Sequence, residues 1–442
     1  MEEQFHLLDL QIAKFTEFGV CMIFPGVAEL DHLRNGSEKL AEQWPILRAR
    51  INLLDYQPRY NSKTCVNFQS KIYDHSLDEY IPGLSQNLDN FDNLVDPLFD
   101  FPVSWRDIIA PPVLTMSAIA LRDACLLKIS VQHALCDATG LYNIVQAYCS
   151  LLRRESVKPL TPRSAIKLAD KSACIMPESP TVEAISARLA QFQITSSQVG
   201  WRPIFSAFLK SVLFKPKHRK AFCMPILNDN QLVKARTANE RVTTHDLLMA
   251  YIWKASAASP SWKRRRNDRQ NRYPPFSLAL SIEQHLDRTC ELHNRWVVLN
   301  VPNPKETTNS EEEDIVQMAC HLRSTIINAR SSAYLQPILD YYEKTNDVPI
   351  MPWKDGLSTG IFYSSWGQNL LCNTKFKVGE TPEVQPMYTQ PYVGPPAILR
   401  RLRQSLDNTV LTWRDRENHF WLSGTLDNEV WTELDRLSHQ AI

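Results

Sequence analysis

The sequence is short of several things, and each shortage excludes a class of protein. Glycine occurs only 12 times in 442 residues, too rarely for a collagen-like or linker-rich chain. Charge imbalance is nearly absent: 49 Lys and Arg face 48 Asp and Glu, a formal net charge of +1. A nucleic-acid binder that works by bulk charge is basic overall, so no nucleic-acid partner is expected. No apolar run approaches the roughly 18 residues of a membrane span. The opening MEEQFHLLDLQ is acidic and lacks the basic flank and apolar core of a secretory signal. The ten cysteines (Cys21, Cys65, Cys125, Cys136, Cys149, Cys174, Cys223, Cys290, Cys320 and Cys372) contain no Cys-x-x-Cys pair. Neither a zinc cage nor a compact disulfide framework is therefore expected, and no metal site. Free thiols without a signal point to a reducing, cytoplasmic compartment. G-x-S-x-G, P-loop, G-x-G-x-x-G and H-E-x-x-H motifs are missing as well.

What is present describes an ordinary folded chain. Hydrophobic residues make up 44% and charged residues 22%, and 11 Trp, 14 Tyr and 17 Phe speak against disorder. The length exceeds what one hydrophobic core usually serves, so two domains are expected. Residues 17–25 (TEFGVCMIF runs from 16 to 24, then Pro25) read as a strand. Residues 125–133 alternate cleanly, with Leu127, Ile129, Val131 and His133 on one face and Lys128, Ser130 and Gln132 on the other. A helix over 141–153 follows, with Leu141, Ile144, Val145, Tyr148, Leu151 and Leu152 at helical spacing. The segment 155–200 has weak periodicity and reads as a crossover, with a helix near 181–193. Thr243 is positioned as an N-cap with Asp246 three residues on, opening the apolar helix LLMAYIWKA. Strands are expected at 276–282 and 296–301, a helix at 311–330 with an acidic start, a hairpin at 409–424 and a closing helix at 427–438. Mixed strands and helices throughout favour a two-domain α/β or α+β enzyme.

One constellation carries chemistry. In VQHALCDATG (131–140), His133 ends an apolar strand just before a loop and a helix. A neutral imidazole there suits a general base for an oxygen or nitrogen nucleophile. Asp137 can bond to the loop or pair with a cation, and so hold the loop that carries His133. Gly140 permits close backbone approach at the turn into the helix. By spacing alone, a satisfied core histidine beside a capping aspartate is the better fit.

The segment HALCDATG after an apolar strand resembles the H-x-x-x-D-[GA] signature of the BAHD acyltransferase superfamily, fungal branch, which includes the trichothecene acetyltransferases. Other segments match in order. WPILRARI (44–51) resembles the family's W-P-x-L-A-G-R-L, TTHDLLMAYIWKA (243–255) its S-T-x-D-A-L-x-A-x-x-W-R helix, and Ser364-Ser365-Trp366 a Ser-Ser-Trp found in fungal members. The resemblance implies an α/β chain of two chloramphenicol-acetyltransferase-like domains. Each is a mixed β-sheet flanked by helices, with the active-site channel at the interface. The expected boundaries are 1–180 for the domain carrying the motif, 181–215 for a crossover and 216–442 for the second domain. It further implies His133 as general base and Asp137 as a structural residue paired to an Arg. Acyl-CoA, acetyl-CoA foremost, is the implied co-substrate, with no tightly bound cofactor, and the implied state is a monomer.

Three departures stand out. The family's Asp-Phe-Gly-Trp-Gly appears as Lys375-Phe376-Lys377-Val378-Gly379, its Gly-Asn as His293-Asn294-Arg295, and its Arg after the strand at 276–282 falls near His285. Arg288 becomes the candidate partner for Asp137. Thr243, Thr244, Lys254 and Arg264 are the candidate CoA contacts. The latter belongs to the basic run 262–272, which also reads as a solvated loop; KPKHRK (215–220) reads as solvated surface. The expected activity is acyl-CoA-dependent O-acyl transfer to a hydroxyl of a terpenoid, polyketide or alkaloid. The alternatives are the same scaffold acting without CoA, as a cyclase or isomerase of a bulky apolar intermediate, and a non-catalytic binding protein.

Overall fold

A computed structural model describes residues 17–52, 57–61, 64–82, 99, 101–102, 104–161, 181–191, 218–224, 229–265, 273–286, 291–304, 311–345, 360–366, 370–377, 382–394, 408–417 and 419–440. They form two large mixed sheets and a two-stranded one. The first large sheet has five strands in the order Tyr388–Gly394, Glu17–Pro25, Ala124–Gln132, Leu114–Ala120 and Asn67–Ile72. The second has six, in the order His218–Met224, Phe420–Leu426, Thr409–Arg414, Ile361–Ser365, Phe276–Ser281 and Trp296–Val301. Each sheet mixes parallel and antiparallel neighbours.

In the first sheet, Glu17–Pro25 runs antiparallel to both of its neighbours. One of them, Tyr388–Gly394, is supplied by the C-terminal half of the chain. Phe18, Val20, Met22, Leu127, Ile129 and Val131 form a single apolar layer under the helices Leu30–Gln43 and Ala138–Leu152. Burying each such side chain is worth about 1.5–3 kcal/mol. The Tyr148 hydroxyl donates to the Leu33 carbonyl at 2.9 Å and ties the two helices together. The helix expected at 141–153 spans Ala138–Leu152. It starts three residues early because Asp137 caps it, and Arg154, at a φ of 64°, turns the chain out of helical geometry at the other end.

The alternation at 125–133 predicts one apolar and one polar face, and the strand Ala124–Gln132 does separate them. Its polar face is nevertheless buried: all nine residues are.

The second core is built around the helix Thr244–Ser256, in which every residue from Asp246 to Ser256 is buried. It contacts the helices Glu311–Ala329 and Asn428–Gln440. Trp253 stacks on Phe276 at 5.1 Å, and its indole N–H reaches the Pro274 carbonyl at 2.8 Å. The helix Val182–Gln191 packs against Ser332–Thr345 and contributes Ile185 and Leu189 to this same core. The expected hairpin is present as Thr409–Arg414 and Phe420–Leu426, followed by the closing helix Asn428–Gln440. His218, Arg219 and Lys220 of KPKHRK start an edge strand paired with Phe420–Leu426. The basic run begins in the short helix Pro260–Arg265, and its residues 266–272 lie outside the described residues.

Side-chain bonds stitch the first sheet's helices to the C-terminal half. Asn143 donates to the Glu291 carbonyl at 3.0 Å, Thr161 binds the Glu291 carboxylate, and Gln146 donates to the Thr374 hydroxyl at 2.8 Å. The diverged motif keeps its aromatic anchor: Phe376 is fully buried and stacks on Phe24 at 4.0 Å. Val378 and Gly379 lie outside the described residues.

Candidate active site

His133 leaves the end of its strand against residues 293–296 of the other half. Its Nδ1 lies 3.1 Å from Oδ1 of Asn294, while the Asn294 Nδ2 donates to the His133 carbonyl at 2.8 Å. The Trp296 indole N–H reaches the same Oδ1 at 3.3 Å. An indole N–H only donates, and a backbone carbonyl only accepts. Both contacts orient the amide with its oxygen toward the imidazole. Nδ1 must then carry the proton, which leaves Nε2 as the unprotonated nitrogen of the neutral ring, the form a general base requires. Phe18 and Trp296 flank the ring at centroid distances of 4.3 and 5.7 Å. Trp366, just past the strand Ile361–Ser365, sits edge-on to Phe18 at 5.6 Å.

Asp137 works entirely through backbone. Its Oδ1 accepts from the Gly140 N–H at 3.1 Å, capping the helix, and its Oδ2 accepts from the Arg295 N–H at 2.9 Å. Its own N–H donates to the His293 carbonyl at 3.2 Å. Burial pushes the carboxyl above its usual range, opposed by the Arg295 charge and the two N–H bonds. The Arg295 guanidinium is itself paired with Glu283. The partner of Asp137 is thus Arg295, through its main chain; Arg288 lies outside the described residues. Gly140 is required sterically: a Cβ there would stand 2.3 Å from the Cys136 Cβ.

Three of the four candidate CoA contacts, Thr243, Thr244 and Lys254, belong to the helix Thr244–Ser256 and its cap. Thr243 donates its hydroxyl to Asp246 Oδ2 at 2.7 Å and receives Arg323 at 2.9 Å; Arg323 also pairs with the fully buried Asp246 at 2.6 Å. Thr244 is the first residue of the helix beside it. Lys254 is corrected: it is only 8% exposed and its ammonium lies 3.1 Å from Asp314, so it is committed to a core ion pair. Arg264 lies in the helix Pro260–Arg265, and its side chain is outside the described residues.

Sequence reasoning misses the contributions of Asn294, Phe18 and Trp296. Asn294 is 161 positions from His133, and no local spacing announces the pair.

His133 is thus held where the end of a first-sheet strand meets residues 293–296, which lead into the second sheet. A family model described as the Transferase family matches residues 92–389, and the chain belongs to that family, the BAHD acyltransferases. The chain is an acyltransferase. It is similar to the acetyltransferase adrJ of Penicillium roqueforti, at 21% identity over 96% of this chain and 92% of that protein. Its fold is similar to that of F. sporotrichioides TRI101, solved with coenzyme A and T-2 (TM-score 0.64, 16% identity, 98% of this chain and 97% of that one). It also resembles vinorine synthase (TM-score 0.58, 12% identity, 100% and 94%).

Proposed function

We propose that this enzyme moves an acyl group, acetyl foremost, from acyl-CoA to a hydroxyl of a secondary metabolite of the terpenoid, polyketide or alkaloid kind. The observation that carries the reading is the Asn294–His133 pairing, which presents Nε2 as a base. Nε2 takes the hydroxyl proton while the oxygen attacks the thioester carbonyl. The tetrahedral oxyanion then collapses, the C–S bond breaks, and the proton returns to the CoA sulfur. Ester and free CoA result, with no acyl-enzyme.

The Trp366 indole N–H makes no hydrogen bond to any described residue and stands one ring away from His133, so it is our candidate oxyanion donor. Asp137 holds the loop. Thr244, at the start of a long helix, and the basic residues near Arg264 are the candidate contacts for the CoA arm and phosphates. The relatives support the donor: TRI101 was solved with coenzyme A, and adrJ is an acetyltransferase. The reading takes the lobes as 1–180 and 216–442 joined by 181–215, and the enzyme as a cytoplasmic monomer.

Calorimetric titration with CoA and acetyl-CoA tests this directly. Micromolar binding is expected, together with loss of turnover in His133→Ala by about 10²–10⁴-fold with the fold intact. Absence of CoA binding, with or without acceptor, would overturn the reading in favour of CoA-independent chemistry.

A further inference from the structure

The first sheet has a second face, and its character changes along the strands. Far from His133 it is apolar: Ile23 opposes Leu126, Leu126 opposes Ile119, and Phe99 joins their cluster. Near His133 it is polar. Glu17 opposes Gln132, Ser130 opposes Thr115, and Lys128 opposes Ser117. This polar end is not bathed in solvent: Gln132 is 7%, Ser117 6% and Ser130 4% exposed.

Sheets covered on both faces normally carry apolar residues on both, because a buried polar group costs free energy unless it is hydrogen-bonded. Part of this end is satisfied internally. Ser130 bonds the Tyr392 hydroxyl, and the Lys128 ammonium lies 4.8 Å from the centre of the Tyr392 ring. Gln132 and Ser117 are different. Neither side chain hydrogen-bonds any described residue. A carboxamide offers two donors and an acceptor, and this one belongs to the residue immediately before the base.

We propose that the His133 end of this sheet face is the specificity wall of the acceptor site: Gln132 hydrogen-bonds a second oxygen function close to the hydroxyl being acylated, and Ser117 a more distant one. The proposal rests on the acyl-transfer reading above and names its acceptor class, a polyoxygenated alicyclic alcohol rather than a simple apolar one. The wall suits an acceptor better than the CoA arm. It spans several strands and continues into an aromatic, apolar floor, which fits a broad ring skeleton and not a linear chain.

The test uses the full chain, acetyl-CoA and two terpenoid probes, borneol and 2,3-bornanediol, with the released CoA thiol read by a disulfide reagent. Wild type is expected to favour the diol in kcat/KM by roughly tenfold or more, since a site built to bond a hydroxyl rejects the analogue lacking it. Gln132→Met keeps side-chain length, and it should bring that ratio to about two or below by removing the bond. The KM for acetyl-CoA should stay in place. Ser117→Ala makes the same test in a smaller step, should the first variant fail to fold. Equal use of both alcohols by wild type overturns the proposal, as does a Gln132→Met variant that raises the acetyl-CoA KM and keeps the preference. Failure of the underlying reading looks different: thiol release is then absent, or identical in His133→Ala, and the proposal falls with it.

Discussion

Asn294 clamps His133 at two points, accepting from Nδ1 at 3.1 Å and donating to the His133 carbonyl at 2.8 Å. The clamp crosses from one half of the chain to the other, so this orientation of the imidazole depends on contacts from both halves. Asp137 reinforces the same seam by bonding the Arg295 N–H. Orientation of His133 and packing of the two sheets against each other therefore share the same contacts.

Asn294→Leu should keep the fold and lower kcat/KM by about 10²-fold, the usual cost of letting a catalytic group drift by an ångström. Asn294→Asp should behave differently. A carboxylate on Nδ1 favours the imidazolium, so a higher pH is needed to free the base. The acid limb of the kcat/KM profile should move to higher pH, and a pH–rate series on both variants checks it.

Trp366→Phe keeps an aromatic ring against Phe18 and removes the indole N–H. Loss of one oxyanion donor should lower kcat by about 10²-fold, with little change in the KM for acetyl-CoA. An unchanged kcat would remove Trp366 from the oxyanion role.

Asp137→Ala removes a helix cap and leaves the Arg295 N–H without its acceptor in the interface. The expected loss of stability is about 2–4 kcal/mol in denaturant unfolding. Asp137→Asn should lose less, because Asn caps helices about as well as Asp.

His245, in the first turn of Thr244–Ser256, gives the fold an acid limit. Burial pushes its imidazole down to about 4, with Asp246 opposing the shift. The unfolded chain takes up this proton near the ordinary histidine value of about 6.5. Between those values only the unfolded state is protonated, so stability is full above the upper value and drains as pH falls toward the lower one. The loss is at most about 1.4 kcal/mol per pH unit. His245→Gln should flatten the change in urea midpoint between pH 7 and pH 5 if the Tyr363 hydroxyl contact is kept.

The sequence makes His133 and Asp137 legible because strand, loop and helix signals converge within ten residues. Asp137 caps the helix, as its position suggests, and also bonds the Arg295 main chain, which no local spacing announces. Lys254 was misjudged for a definable reason. A helix buried over Asp246–Ser256 has no polar stripe to mark which face meets solvent, so a lysine within it looks available when it is paired with Asp314. Alternation in 125–133 likewise separates the faces correctly without revealing that the polar one is covered.

Local order alone determined the strand at 17–25, the cap-and-helix unit after His133, and the closing hairpin and helix. These depend on residue spacing and on side chains bonding to nearby backbone. Tertiary structure decided which nitrogen of His133 Asn294 engages, which main chain Asp137 grips, and that a strand from residues 388–394 completes the first sheet. Each of these joins residues more than 150 positions apart. Such contacts depend on how the two halves dock, and no local periodicity encodes them.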